Sequence, residues 1–341
     1  MISPPIGTRD YSLVGRDSER AQQSGLVQAK WYVSPIDRKT LKALMQRSDA
    51  PAIRDTLLWV AALLASGVLI YAFWGTWTAV PFVLVYGVLY GSVSDSRWHE
   101  CGHGTAFRTR WMNDVVYHVA SFMVLREPTV WRWSHARHHT DTLIVGRDPE
   151  IVAQRPPRLL VIVLDFFALK SGPIAIGRLV LHATARLTRE EETFIPASER
   201  WKVFAAARIY LTIFAAVVAA CAYTATILPA VYVGLPTFYG AWLATFFGLT
   251  QHAGLAEDVL DHRLNTRTVH MNPLFRFLYW NMNYHVEHHM FPLVPYHALP
   301  RLHAAIRSDC PTSATSCWAA YREIVTDLLR QRRDPAWFVR H

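Results

Sequence analysis

The sequence predicts an all-α integral membrane protein, with four transmembrane helices paired as two hairpins and a large water-exposed part on one side. Three observations carry this. The 341 residues are 52% apolar, with a mean hydropathy of +0.12, too apolar for an ordinary soluble domain yet not uniformly so. The apolar residues gather in two back-to-back pairs of stretches. All 35 Lys and Arg fall outside those stretches.

The elements follow in order. Residues 1–56 are polar and carry Arg9, Arg16 and Arg20 with no apolar core behind them, so no cleavable signal peptide is expected. Leu57–Trp74 and Trp77–Val93 are separated only by Gly75 and Thr76, and Ile209–Leu228 and Ala230–Leu249 only by Pro229. Each approaches the roughly 20 helical residues that cross a bilayer. Nine Lys/Arg lie in 1–56, sixteen in 94–208 and ten in 250–341. The positive-inside rule then places both termini and the long middle loop in the cytoplasm. The expected division is a cytoplasmic N-terminal region 1–56, hairpin 57–93, cytoplasmic loop 94–208, hairpin 209–249 and cytoplasmic region 250–341.

Val115–Leu125 and Leu159–Leu169 are too short to span and are expected to lie at the interface or under the cytoplasmic part. Asp165 inside the second run agrees, because a lone carboxylate in lipid is costly. Pro156-Pro157 and Gly172-Pro173 mark its ends as turns. The net charge of +9 is accounted for by anionic headgroups and the insertion rule, so no nucleic-acid partner is expected. Cys101, Cys221, Cys310 and Cys317 form no CxxC pair and read as reduced thiols.

Nine of the sixteen histidines form three clusters and one outlier. The clusters are His99-Glu-Cys-Gly-His103, His135-Ala-Arg-His138-His139 and His285-Val-Glu-His288-His289; His252 stands alone. Spacings of three and four put imidazoles on one helix face. Three such faces exceed what one tetrahedral zinc can use. Nine imidazoles suffice for two ions with positions left open, and two irons in an all-nitrogen site are the natural reading. His252 ends an apolar span, where an ionisable group points to function. All nine fall on one side of the predicted membrane. Glu100, Glu287, Asp95, Asp141, Asp148 and Glu150 are candidates to accept the other ring N–H. Lone histidines are more often packed or surface residues, and His118, His182, His262, His270, His297, His303 and His341 are read that way.

Two other readings fit part of the pattern. His99-Glu100-x-x-His103 matches the HExxH pattern of zinc hydrolases, but such an enzyme needs one further ligand and leaves both HxxHH clusters without a purpose. A non-catalytic metal-binding or transport protein is the other. No charge lies within the four stretches, so no ion path is suggested.

The segments HECGHGTAF (His99–Phe107), WSHARHHTDT (Trp133–Thr142) and NYHVEHHMFPLVPYHALPRLH (Asn283–His303) resemble, in order, the three histidine boxes of the membrane fatty acid desaturase and hydroxylase superfamily. The resemblance covers about residues 30–310. It implies a four-span bundle with a cytoplasmic helical cap holding a diiron site. It also implies a ligand outside the boxes, where His252 falls. The implied ligands are His99, His103, His135, His138, His139, His252, His285, His288 and His289; their division between two Fe ions stays open. GRDPEI (Gly146–Ile151) and DHRLNTRTV (Asp261–Val269) resemble a bacterial branch that includes dihydrorhizobitoxine desaturase and an oxygenase proposed for rhizopine catabolism. A multi-pass protein of the bacterial inner membrane is therefore expected.

The resemblance implies an oxidoreductase with O2 as co-substrate that removes hydrogen from an unactivated C–H bond. Loss of a second, vicinal hydrogen desaturates a fatty acyl or related aliphatic substrate. Return of oxygen gives a hydroxylase or O-demethylase of a small molecule, and the boxes do not choose between them. The chain carries no ferredoxin cysteine set, GxGxxG or haem-binding segment, which implies a separate electron donor, a ferredoxin with its reductase. Arg132, Arg137, Arg330, Arg332 and Arg333 are candidates to dock such an acidic carrier. Trp98, Trp111, Trp131, Trp133, Trp280 and Tyr284 surround the boxes as pocket lining or, for most of them, as an interfacial belt. Asn281 and Asn283 would either hydrogen-bond a small polar substrate or cap a helix.

Overall fold

The computed structural model describes residues 9–339, so His341 lies outside the described residues. Among the described residues helices dominate and no strand forms; two isolated β-bridges join Thr268 to Tyr284 and Val269 to Ala314. Three helices are long and apolar enough to cross a membrane: Arg38–Ala72, Ala79–Gly102 and Ala197–Thr224.

Helix α1 (Asp49–Ala72) has Pro51 in its first turn, where the missing N–H leaves no bond unmade. Its buried residues Ala52, Asp55, Trp59, Ser66 and Ile70 recur at helical spacing and form the inward face. Leu57, Leu64, Val68 and Tyr71 are exposed on the rest of it. An apolar outer face is what hydrocarbon, not water, stabilises. Helix α2 (Ala79–Gly102) is the central span: 56% of its apolar window is buried, against 22% and 17% for the other two.

A π-turn over Leu89–Val93 interrupts α2 six residues before His99. Such turns free carbonyls that need other partners. The Trp59 indole donates to the Leu89 carbonyl at 2.8 Å. Ser92 accepts from the Ala244 N–H at 2.8 Å and donates to the Gly240 carbonyl, tying α2 to the fourth apolar stretch.

That stretch, expected as one helix over 230–249, is instead three pieces. Leu228–Tyr232 and Pro236–Tyr239 precede helix α7 (Trp242–His252). Gly234, at φ +98°, ends the first piece, and Pro236 opens the second. Gly240 lies against Gly87 so closely that a methyl group there would collide with the Gly87 backbone. The break lets the stretch press against α2 where both chains are smallest. At 11 residues, α7 measures only about 16 Å.

Five more helices and a long one position the site. Helix α3 (Arg110–Met123) buries Asn113, Tyr117, Ala120 and Ser121 and exposes Trp111, Val115 and Val119, a one-sided pattern that suits an interface. Helix α4 (Pro128–Thr140) starts on Glu127, whose side chain accepts from the N–H groups of Thr129 and Val130. Helix α5 (Ser171–Ala183) packs on the long α6 (Arg200–Thr224) through Leu179, Ala207 and Tyr210. The run Leu159–Leu169 forms only a helix over Leu159–Asp165. Helix α8 (His285–Met290) is almost wholly buried, and α9 (Cys317–Arg333) sets Ala320, Ile324 and Leu328 against Leu249, Ala253 and Val269. The Tyr296 hydroxyl donates to Asp55 at 2.8 Å, so the C-terminal region is fastened to α1. All four cysteines are free.

Candidate metal centre

Every predicted ligand is brought to one place, where α2 and α7 end and α4 and α8 meet them. His99, His103, His135, His139 and His288 form one group, and His138, His252, His285 and His289 a second. Within each group the candidate ligand atoms lie within 4.8 Å of one another. The second and third boxes each divide. Each sends its i, i+4 pair to one group and its middle histidine to the other. The i, i+4 rings point about 40° apart around a helix, whereas adjacent residues differ by about 100°.

The rings face inward through Nε2. The Nε2 atoms of His103 and His135 are 3.1 Å apart, those of His135 and His139 3.2 Å, and those of His139 and His288 3.2 Å. In the second group, His285 Nε2 lies 3.0 Å from His252 Nε2 and 3.1 Å from His289 Nε2. Outer partners decide where the ring protons are. His252 Nδ1 is 2.9 Å from the Asn265 carbonyl, which only accepts, so Nδ1 carries the proton and Nε2 is bare. Thr142 donates to the His138 carbonyl at 2.6 Å and so accepts from His289 Nδ1 at 3.1 Å. Asp148 takes His138 Nδ1 at 2.9 Å, and Glu150 takes His135 Nδ1 at 3.0 Å.

With the Nε2 atoms of His252, His289 and His135 left bare by their outer partners, the convergence of neighbouring ring nitrogens at 3.0–3.2 Å is the arrangement a cation among them would satisfy. The spacing also suits adjacent ligands about 2.1 Å from a common ion. The donor set therefore fits two bound metals. Burial pushes His103 down to about 4 and His252 to about 3, and holds His135, His139, His285, His288 and His289 well below the ordinary imidazole value. These rings stay neutral, the form that binds metal. His138 is the exception. Burial opposes its charge, but the Asp148 carboxylate outweighs burial and raises its proton affinity.

Glu100 is fully buried and stands between two rings of the five-histidine group, with Oε1 3.5 Å from His99 Nδ1 and 3.6 Å from His288 Nδ1. The Tyr296 N–H and the Thr105 hydroxyl hold its other oxygen. A hydrolase base would need to meet water at the metal; this carboxylate lies behind the ligands. Of the other acids singled out, three miss the ligand rings. Asp95 pairs with Arg126, Asp141 with Arg147, and Glu287 with His303 and Thr268. Thr142 and the Asn265 carbonyl were missed. The first sits inside the second box, but a backbone carbonyl leaves no mark in a sequence.

Among the remaining described histidines none joins either group. His262 comes nearest: it stacks on Trp31 at 4.2 Å, with its ring 5.1 Å from His289. His182 is buried on Glu191. The aromatic residues separate by position. Trp98 and Trp131 line a cavity beside His99, Trp280 is buried against Tyr296, and Trp111 is on the surface. Asn281 and Asn283 do neither of the expected jobs, because they donate to the carbonyls of Tyr296 and Val269. Arg137 is held by Asp141 and Thr193 and is poorly placed to meet a carrier.

The fatty acid desaturase family model matches residues 75–321. The chain is 35% identical over 83 residues to an omega-6 fatty acid desaturase of the endoplasmic reticulum (isozyme 1) from Glycine max, covering 22% of this chain and 21% of the relative. It is 31% identical over 108 residues to a Delta(12) fatty acid desaturase from Caenorhabditis elegans, 28% of each. An sn-1 acyl-lipid omega-3 desaturase (ferredoxin) from Nostoc sp. (strain 36) is 34% identical over 50 residues, 15% of this chain and 14% of that one. The matches thus span less than a third of each of these relatives' length.

Proposed function

The chain belongs to the fatty acid desaturase family, and on that premise we propose that it is an O2-dependent diiron membrane oxidoreductase that desaturates an unactivated C–C bond of a fatty acyl or related aliphatic substrate. The observation that carries the reading is the convergence of nine imidazoles into two groups whose ring nitrogens crowd one another, with the Nε2 of His252 left bare by its outer partner. Two irons held there supply reduction of one O2 to two waters, with two electrons and two protons from outside and two hydrogens from the substrate.

The chain's own residues bind, orient and shield. Histidines of both groups are the ligands. Asp148, Glu150, Thr142 and the Asn265 carbonyl fix ring tautomers and aim Nε2 inward. Trp98, Leu143 and Met282 wall the cavity above the ligands and limit water. The same site that returns oxygen to the carbon gives hydroxylation or O-demethylation.

The proposal extends to placement. Four passes are completed by the broken stretch ending in α7, and both termini and the 94–208 loop face the cytoplasm of a bacterial cell. The sequence division at 56/57, 93/94, 208/209 and 249/250 is kept as the topology to test. Electrons come from a separate carrier; the Nostoc relative's name specifies ferredoxin. Arg132, Arg330, Arg332 and Arg333 offer the basic docking surface. Purified protein supplied with ferredoxin, its reductase and O2 should consume O2 only when a substrate is present and form an alkene from it. Hydrolysis without O2 or reductant would replace this reading with the zinc one.

A further inference from the structure

Among the described residues, two rings outside the ligand set stand against ligand rings, and they lead in opposite directions. Trp98 lies 5.6 Å from His135 and 6.1 Å from His99 and continues to Trp131, and both indoles line the cavity. His262 lies 5.1 Å from His289 and continues to Trp31, which is half-buried at the edge of the fold. The first path ends where a substrate meets the histidines. The second stays clear when the cavity is filled.

That outward path is a run of stacked rings. Trp31 and His262 are 4.2 Å apart with 5° between their planes. At the inner end, His289 stacks on His139 of the five-histidine group at 4.3 Å, with 22° between planes. His289 thus meets both the outward stack and the other group. Both outer rings are fixed. The Trp31 indole donates to the Thr140 carbonyl at the end of α4 at 3.0 Å, and the Tyr32 N–H donates to the Leu260 carbonyl at 2.8 Å. His262 opens the short helix His262–Asn265, and the Asn265 carbonyl of that helix orients His252. The relay is built on the same backbone as a ligand.

Beside Trp31 in the chain, Gln28, Ala29, Lys30 and Val33 are exposed. Electron-transfer partners meet over small interfaces, so a single residue can mark the point of closest approach. Electronic coupling falls steeply with the gap between groups, which favours touching π faces over aliphatic packing.

We propose that the Trp31–His262 stack is the route by which electrons from the separate carrier reach the four-histidine group, and through His289 and His139 the five-histidine group. Each passage oxidises the carrier by one electron and reduces one ferric ion to ferrous. Two passages reduce both irons, and no bond in this chain forms or breaks. The proposal rests on the diiron reading and adds to it the point of electron entry.

The test follows iron reduction, without O2, in the detergent-purified, iron-loaded full chain. The reductants are a reduced two-iron ferredoxin and dithionite, which is small and needs no docking. At saturating ferredoxin, Trp31→Leu and His262→Leu should each slow reduction by about tenfold or more at unchanged iron content. The double variant should be no slower than the slower single, because the two rings lie in series. Trp31→Phe should recover most of the rate, and dithionite should reduce every variant at the wild-type rate. Ferredoxin should also slow amide hydrogen exchange over residues 28–33 of the wild type. A wild-type rate in Trp31→Leu, equal slowing with dithionite, Trp31→Phe as slow as Trp31→Leu, or unchanged exchange over 28–33 would each overturn the proposal and leave the diiron reading standing. Absence of iron, or wild-type iron that ferredoxin leaves oxidised, would instead fail the reading on which it rests.

Discussion

In the four-histidine group, three rings have a hydrogen-bond acceptor behind them, whereas in the five-histidine group, among the described residues, only His135 does. Asp148, the Asn265 carbonyl and Thr142 hold His138, His252 and His289. On the other side Glu150 holds His135, while Glu100 stays beyond hydrogen-bond distance of both His99 and His288. The Nδ1 atoms of His139 and His288 are buried with no partner. The smaller group is thus shaped by the protein before a metal arrives, and the larger takes more of its geometry from the ion. The four-histidine position should bind first and release last.

The strongest way to break this contrast is to delete a ligand. His138→Ala should abolish turnover and lose the iron of the four-histidine group, a loss exceeding the roughly 100-fold typical of outer partners. His297→Ala, outside both groups, should leave iron content and activity near wild type. Equal effects of the two would mean the ligand set is wrong. Next in size is the pair Asp148→Asn and Glu150→Gln, followed by iron affinity. Asp148 also accepts from the Leu143 N–H and is buried, so its loss should weaken binding by about 100-fold; Glu150→Gln should cost about tenfold. A reversed order would contradict the assignment of the preformed group. Thr142→Val should be milder than either, since Thr142 is neutral, and a metal-loss rate matching that of Asp148→Asn would count against it.

The smallest effect expected concerns pH. His252 and His103 are held at about 3 and about 4 by burial, below the unfolded imidazole value. The unfolded chain therefore binds more protons across that interval. The contribution of these two rings to the stability of the metal-free protein should be full above about pH 6.5, fall as the pH drops toward 4, and level off below about 3. His138, with its raised value, contributes stability that is full below about pH 6.5 and is lost as the pH rises above it, so His138→Ala should remove a decline on the alkaline side in urea titrations. An alkaline-side profile identical to that of the wild type would remove the Asp148–His138 coupling from the account.

The site was more legible than the scaffold. Box spacing marks ligands because short-range helical geometry alone sets which rings share a face. The division into five and four was also latent in it, since each i, i+4 pair stays together and each middle histidine crosses over. What could not be read is which pairs meet, a tertiary fact set by how α4 and α8 approach α2 and α7. The family expected from the boxes is matched over residues 75–321. Hydropathy found three of the long spans but ran through Gly234, Pro236 and Gly240, the last two of which pack closely on Gly87 and Gly91. Asp95 was set among possible ring partners by proximity in sequence, whereas Arg126 takes it in the fold.

The central claim is that two separate histidine groups each hold one iron. It is tested most directly by iron per chain in the detergent-purified protein, measured for wild type and for His252→Ala. The expected result is about two irons in wild type and about one in His252→Ala, the two groups being distinct. One zinc and no iron, persisting after iron reconstitution, would contradict the account, as would a His252→Ala protein that keeps both irons.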